Sequence, residues 1–188
     1  MQIKDLVHIS LFAALMAALA LFPPITIPAL GVPITAQSMG VMFAGGVLGA
    51  RRGVLSIILF LVLVAIGLPL LSGGRGGIGV FAGPTAGFIF GWALGAWVVG
   101  LLTERYWQQL TMIKAFGICA IGGIGIVYLL GIPWLTFAAA LPFEKAFFGS
   151  VVFIPGDLVK AGIAAAVIMG VKRAYPLISP QRMDNDIP

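Results

Sequence analysis

The sequence predicts an all-α integral membrane protein with six transmembrane helices, and three observations carry that reading. Apolar residues make up 61% of the 188 residues and charged ones only 9%, whereas a soluble domain carries about 25% charge. Mean hydropathy is +1.13. Six apolar segments can be read off, roughly 7–22, 34–50, 53–71, 84–102, 115–131 and 150–171. No polar stretch between them is long enough to fold separately, so residues 1–188 are expected to form a single membrane domain.

The first segment, Val7–Phe22, has a competing reading as a cleaved signal peptide. Lys4 gives it a basic start and Ala18-Leu19-Ala20 has the small-x-small form of a cleavage site. Asp5 cancels that charge, however, and removal would leave five spans with a spoiled charge pattern. Ala13, Ala14, Ala17 and Ala18 form two overlapping AxxxA pairs in it. Such pairs serve internal packing or docking to another membrane subunit, and spacing alone leaves both open.

Thr35, Gln37 and Ser38 make the start of the second segment, Ile34–Ala50, the least typical. It is kept as a span because an odd number of crossings would break the charge pattern. The third, Gly53–Leu71, follows Arg51-Arg52 and leads into the glycine-rich link around Arg75. Into and along the fourth, Pro84–Leu102, Gly79, Gly83, Gly87, Gly91 and Gly95 recur every four residues. That spacing lets two helix backbones approach closely in lipid. The fifth, Ala115–Gly131, holds Cys119, the single cysteine. One cysteine excludes an internal disulfide and any cysteine-based metal cluster, and packing is its expected role.

The last segment, Ser150–Val171, carries Asp157 and Lys160 after Pro155-Gly156. A charge at membrane depth costs about 2.5–3.5 kcal/mol even on the lenient insertion scale, so such residues face a partner or a cavity. Positions i and i+3 share a helix face. At about 100° per residue, Ala161, Ala164 and Ile168 join them on that side, while Gly162, Ala166 and Gly170 fall opposite. The first face is expected to line a cavity and the second to pack tightly.

Lys4, Arg51, Arg52, Arg105, Lys114, Lys172, Arg173 and Arg182 fall on one common side of the six segments, and only Arg75 and Lys145 on the other. This bias places both termini in the cytoplasm. The basic residues are scattered rather than striped, so the net charge of +5 is a topology signal and no nucleic-acid partner is expected. The lipid bilayer is the expected surrounding.

Several chemistries lack their parts. Gly74-Arg75-Gly76-Gly77-Ile78-Gly79 satisfies GxGxxG, but its flanks are spans and the next acidic residue is Glu104, so the match is accidental. No GxxxxGK[ST] loop exists, and His8 is the only histidine. No catalytic residue, metal site or cofactor is expected, since histidine pairs, a Ser-His dyad and a second intramembrane carboxylate are all missing.

Val32-Pro33-Ile34-Thr35-Ala36-Gln37, Leu48-Gly49-Ala50-Arg51-Arg52-Gly53, Gly73-Gly74-Arg75-Gly76-Gly77, Gly83-Pro84-Thr85-Ala86-Gly87-Phe88 and Pro155-Gly156-Asp157-Leu158-Val159-Lys160 occur in that order. Together they resemble BioY, the biotin-specific substrate-binding (S) component of energy-coupling-factor (ECF) transporters, over roughly Val7 to Val171. One departure is Phe88, where the family often has a tyrosine.

The resemblance implies the six-helix S-component fold in a bacterial cytoplasmic membrane, with one biotin held near the external face. It implies as partners a transmembrane coupling (T) subunit and a pair of cytoplasmic ABC-type ATPases, which alone would use ATP. It points to Asp157 and Lys160 as biotin contacts and favours docking for Ala13, Ala14, Ala17 and Ala18. A carboxylate accepts the ureido N–H bonds, and Lys160 donates to a carbonyl or carboxylate. Gln37 and Thr35 add neutral hydrogen bonds from the second span. Arg75 either faces the valerate carboxylate or is simply solvated. Trp134 and Phe137, in an external connection over Ile132–Phe147, either stack over the ligand or anchor at the interface. Two alternatives stand beside this reading: a solo biotin importer, as a homo-oligomer, and an ion-coupled secondary transporter using Asp157.

Overall fold

The computed structural model describes residues 2–27 and 32–178; Arg182 lies outside them. Helix α1, Ile3–Ala18, opens where the Asp5 carboxylate accepts the Gln2 N–H at 3.0 Å, satisfying one of the free donors of a helix start. After a 3-10 turn at Leu19–Leu21, strands β1 (Ile25–Ile27) and β2 (Val32–Ile34) pair antiparallel, with Ile25 opposite Ile34. Helices α2, Gln37–Leu48, and α3, Ala50–Ala65, are separated by Gly49 alone. A second 3-10 turn, Ile78–Phe81, precedes α4, Ala86–Arg105. Then α5, Met112–Ala120, continues through a π-turn, Ile121–Ile126, into α6, Val127–Ala138. Short α7, Phe143–Val151, leads to α8, Ile154–Ala174.

Among the described residues, four helices are long and apolar enough to cross a bilayer: Ile3–Leu21, Ala86–Arg105, Met112–Ala138 and Ile154–Ala174. The two segments predicted between the first and the fourth differ from expectation. Ile34 belongs to β2, and α2 has only 12 residues, or about 18 Å of length. All of α2 from Gly40 to Leu48 is buried, surrounded by α1, α3, α4 and α8. A helix apolar on every side can be enclosed by its neighbours without exposing a polar face to them. The third segment stops at Ala65 rather than Leu71, leaving Leu71 for the loop that follows.

One end of the bundle is tied by polar contacts. Arg52, at the start of α3, meets Asp5 at 3.6 Å and donates to Leu177 O at 2.6 Å. Ala50 N–H donates to Glu104 Oε1 at 2.9 Å, so a side chain from the end of α4 caps α3. Lys172, near the end of α8, donates to Trp107 O at 2.6 Å and lies over the Trp107 ring. The start of α1, the α2–α3 junction, the α4–α5 junction and the end of α8 therefore meet together.

Packing refines three sequence expectations. In the glycine stripe, Gly87, Gly91 and Gly95 face the α5–α6 helix. A Cβ on Gly91 would stand 2.9 Å from Val127 Cα, and one on Gly87 would collide with Trp134. Gly79 and Gly83 precede α4 and meet no such neighbour. On α8 the charged face lines the cavity as expected, but the opposite face does not pack. Ala161, Ala164, Ala165 and Ile168 are buried, whereas Ala166 and Gly170 are exposed and a Cβ on Gly162 or Gly170 meets nothing. The charged side is therefore also the packed side, its alanines letting α8 approach α2 and α5 closely. In α1, Ala13 is 3% exposed and part of the core, so it is removed from the docking set. Ala17 is half-buried, and Ala14 and Ala18 are exposed.

Candidate functional site

A cavity of about 650 Å³, its mouth included, is lined from α2, the loop before α4, α4 itself, α6 and α8. Asp157 and Lys160, one helical turn apart on α8, both line it, as do Thr35, Gln37 and Arg75. Every substrate-site residue predicted from sequence is therefore at one cavity. The sequence pattern could assemble the α8 pair but not the rest, which come from segments up to 125 positions away.

The polar centre is a closed network. Lys160 Nζ donates to Asp157 Oδ1 at 2.8 Å, to Thr35 O at 2.7 Å and to Ser38 Oγ at 3.0 Å. An ammonium has three N–H groups, and here all three have protein acceptors. Tyr128 Oη donates to Asp157 Oδ2 at 2.5 Å, and Ser38 Oγ approaches Oδ1 at 3.4 Å. The Asp157 and Lys160 side chains are 8% and 15% exposed. Lys160 is thus the counter-charge that keeps a carboxylate at the cavity wall, and burial without it would be costly. Thr35 contributes its main-chain carbonyl to this network.

Tyr128 and Ser38 were missed in the sequence. Tyr128 sits two residues after the π-turn, a helix irregularity common at functional sites, and its ring meets Phe88 edge-on at 5.8 Å. Phe88 carries no hydroxyl, and Tyr128 presents one to the cavity from α6. A hydroxyl inside an otherwise apolar run was the available signal. Phe88, Trp92 and Phe153 supply apolar wall.

Gln37 lines the cavity and also bonds the main chain around it. Its amide Nε2 donates to Met16 O and to Leu70 O, each at 3.0 Å, and Oε1 accepts the Ser72 N–H at 2.9 Å. Both donors are committed to main chain, so Gln37 holds protein segments together.

Arg75 is half-buried in the glycine-rich loop. Its Nε donates to Ser72 O at 3.3 Å and Nη1 to Thr85 Oγ1 at 3.4 Å. Among the described residues no carboxylate pairs with it, and a guanidinium has five N–H groups. Burial lowers its pKa from the ordinary value, yet arginine stays charged at neutral pH. Trp134 lies within α6 rather than in a connection; its Nε1 donates to Gly83 O at 3.0 Å, and it does not line the cavity. Phe137, also in α6, is 83% exposed.

No group of three or more His, Cys, Asp or Glu gathers among the described residues. The cavity instead offers one fixed acceptor set at Asp157, one cation with N–H groups to spare at Arg75, and apolar walls between. Such a site suits a small molecule with N–H donors at one end and an anion at the other.

The sequence model described as the BioY family matches residues 1–177. A biotin transporter BioY of Rhizobium etli is 52% identical, covering 95% of this chain and 98% of that protein. A probable biotin transporter BioY of Bacillus subtilis is 41% identical, covering 94% and 95%. Among solved structures, the S-component for biotin from an ECF-type ABC transporter superposes with a TM-score of 0.89 at 31% identity, covering 93% of this chain and 94% of that one.

Proposed function

This chain belongs to the BioY family, and from that premise we propose that it takes up biotin across the bacterial cytoplasmic membrane as the substrate-binding component of an ECF transporter. It is a multi-pass membrane protein and a transport component rather than an enzyme. The observation that carries the site assignment is the polar network around Asp157 facing Arg75 within one apolar-walled cavity.

In this reading the ureido N–H groups of biotin donate to Asp157, which Lys160, Tyr128 and Ser38 hold in place. The valerate carboxylate meets Arg75, and the sulfur ring lies against the apolar wall. Asp157, Lys160 and Arg75 sum to one positive charge, which the carboxylate neutralises; that balance favours an anionic ligand over a neutral one. Thr35 and Gln37 act through Lys160 and the loop, and the chain needs no cofactor of its own.

The architecture we infer is one membrane domain that crosses six times, with both termini in the cytoplasm. Its support is the tied end of the bundle. That end collects Asp5, Arg52, Glu104 and Lys172, from the side where the basic residues concentrate. A T subunit and ABC ATPases supply energy, and the exposed Ala14 and Ala18 of α1 form part of the docking face.

Labelled biotin binding to purified protein tests the site: Asp157→Asn abolishes binding at micromolar biotin, and normal binding by that variant overturns the assignment. Uptake in cells with and without the ATPase subunits tests the partnership. Accumulation that persists without them and collapses with a protonophore supports an ion-coupled transporter instead.

A further inference from the structure

We infer that Gln37 is a positioning residue, a latch that sets Arg75 at the cavity and so confers selectivity for an acidic ligand; this rests on Arg75 meeting the ligand's carboxylate as proposed above. Gln37 is 1% exposed at the first turn of α2. Its two amide donors reach the main chain of α1 at Met16 and of the loop at Leu70, and its carbonyl takes the Ser72 N–H. Two carbonyls and one N–H fix which amide atom points where.

The two loop contacts flank Leu71, which is 1% exposed. From there a tight turn carries the position forward. Leu71 N–H donates to Arg75 O at 3.0 Å, and Arg75 N–H returns to Leu71 O at 3.2 Å. Gly73 and Gly74, at φ +79° and +69°, supply the left-handed backbone that closes the turn. Arg75 Nε then bonds Ser72 O, the carbonyl of the residue whose N–H Gln37 holds. Gln37 thereby fixes the start of the path to the guanidinium, at Leu70 and Ser72, without reaching the ligand through its own donors.

A glycine-rich turn without such a latch samples many backbone states, and Arg75 would then spend part of its time away from the cavity. The loss falls on contacts made by Arg75 and spares those made at Asp157. That separates a latch from a general scaffold residue.

The test measures binding of biotin and of biotin methyl ester to purified protein in detergent, for wild type, Gln37→Met, Arg75→Gln and the double variant. Gln37→Met weakens biotin binding about tenfold, the scale of one charge-assisted hydrogen bond, and leaves ester binding unchanged. In the Arg75→Gln background, adding Gln37→Met has no further effect on biotin. Equal losses for acid and ester, or additive losses in the double variant, overturn the latch. Arg75→Gln binding biotin like wild type overturns the Arg75 assignment itself, a separate failure. Should Gln37→Met not fold, Gln37→Asn keeps a neutral amide too short to span all three main-chain contacts, and the same acid-selective loss is expected; an equal loss of acid and ester overturns the latch.

Discussion

The Tyr128 hydroxyl donates to Asp157 Oδ2 across 2.5 Å and thereby joins α6 to α8 at the cavity wall. Asp157 has its other oxygen on Lys160, so the two contacts fix the carboxylate plane from two helices. Tyr128→Phe keeps the edge contact with Phe88 and removes only the hydrogen bond. Loss of a hydrogen bond to a charged group predicts a stability decrease of about 1.5–3 kcal/mol, read by thermal unfolding in detergent, together with weaker biotin binding.

Lys160 serves Asp157 first, because its three donors all end on protein atoms. Lys160→Met strands a buried carboxylate and is expected to cost about 3–5 kcal/mol. Asp157→Asn combined with Lys160→Met recovers most of that stability but not biotin binding. Unfolding and binding measured on the same three proteins check the prediction; additive stability losses would contradict the pair.

Close approach of α4 to the α5–α6 helix depends on Gly91, where a Cβ would lie 2.9 Å from Val127 Cα. Gly91→Leu is expected to cost about 3 kcal/mol or more through overpacking. Gly162→Leu, on the open face of α8, is expected to stay within about 0.5 kcal/mol of wild type. Thermal unfolding of the two variants side by side decides between the packed and open faces.

The proposed orientation predicts opposite labelling of two exposed positions. Cys119 is buried, so Cys119→Ser provides a background for single cysteines. With a membrane-impermeant thiol reagent on intact cells, Glu144→Cys reacts and Lys114→Cys does not; inverted vesicles reverse the pattern. Labelling of both from one side would exclude the six-crossing topology.

Much of the site was legible because membrane solvent makes charge expensive. Asp157 and Lys160 stood out for that reason alone, and their three-residue spacing set them on one face. Arg75 was visible as an isolated cation in a glycine loop, although its partner there was open. Tyr128 was not visible in the same way, since a tyrosine in an apolar helix serves equally as wall or interface anchor. Only the register set by the π-turn at Ile121–Ile126 aims it at Asp157.

Composition and charge placement determined the solvent and the helical class, and five motifs in order carried the family resemblance, because these depend on totals and on order along the chain. Which face of α8 packs, the burial of α2 and the main-chain partners of Gln37 were decided by tertiary structure alone. Helical spacing divides residues into faces without saying what each face meets. The amide of Gln37 offers the same donors and acceptor to a ligand or to main chain. Folding brings Met16, Leu70 and Ser72 within its reach, a proximity that spacing along the chain does not encode.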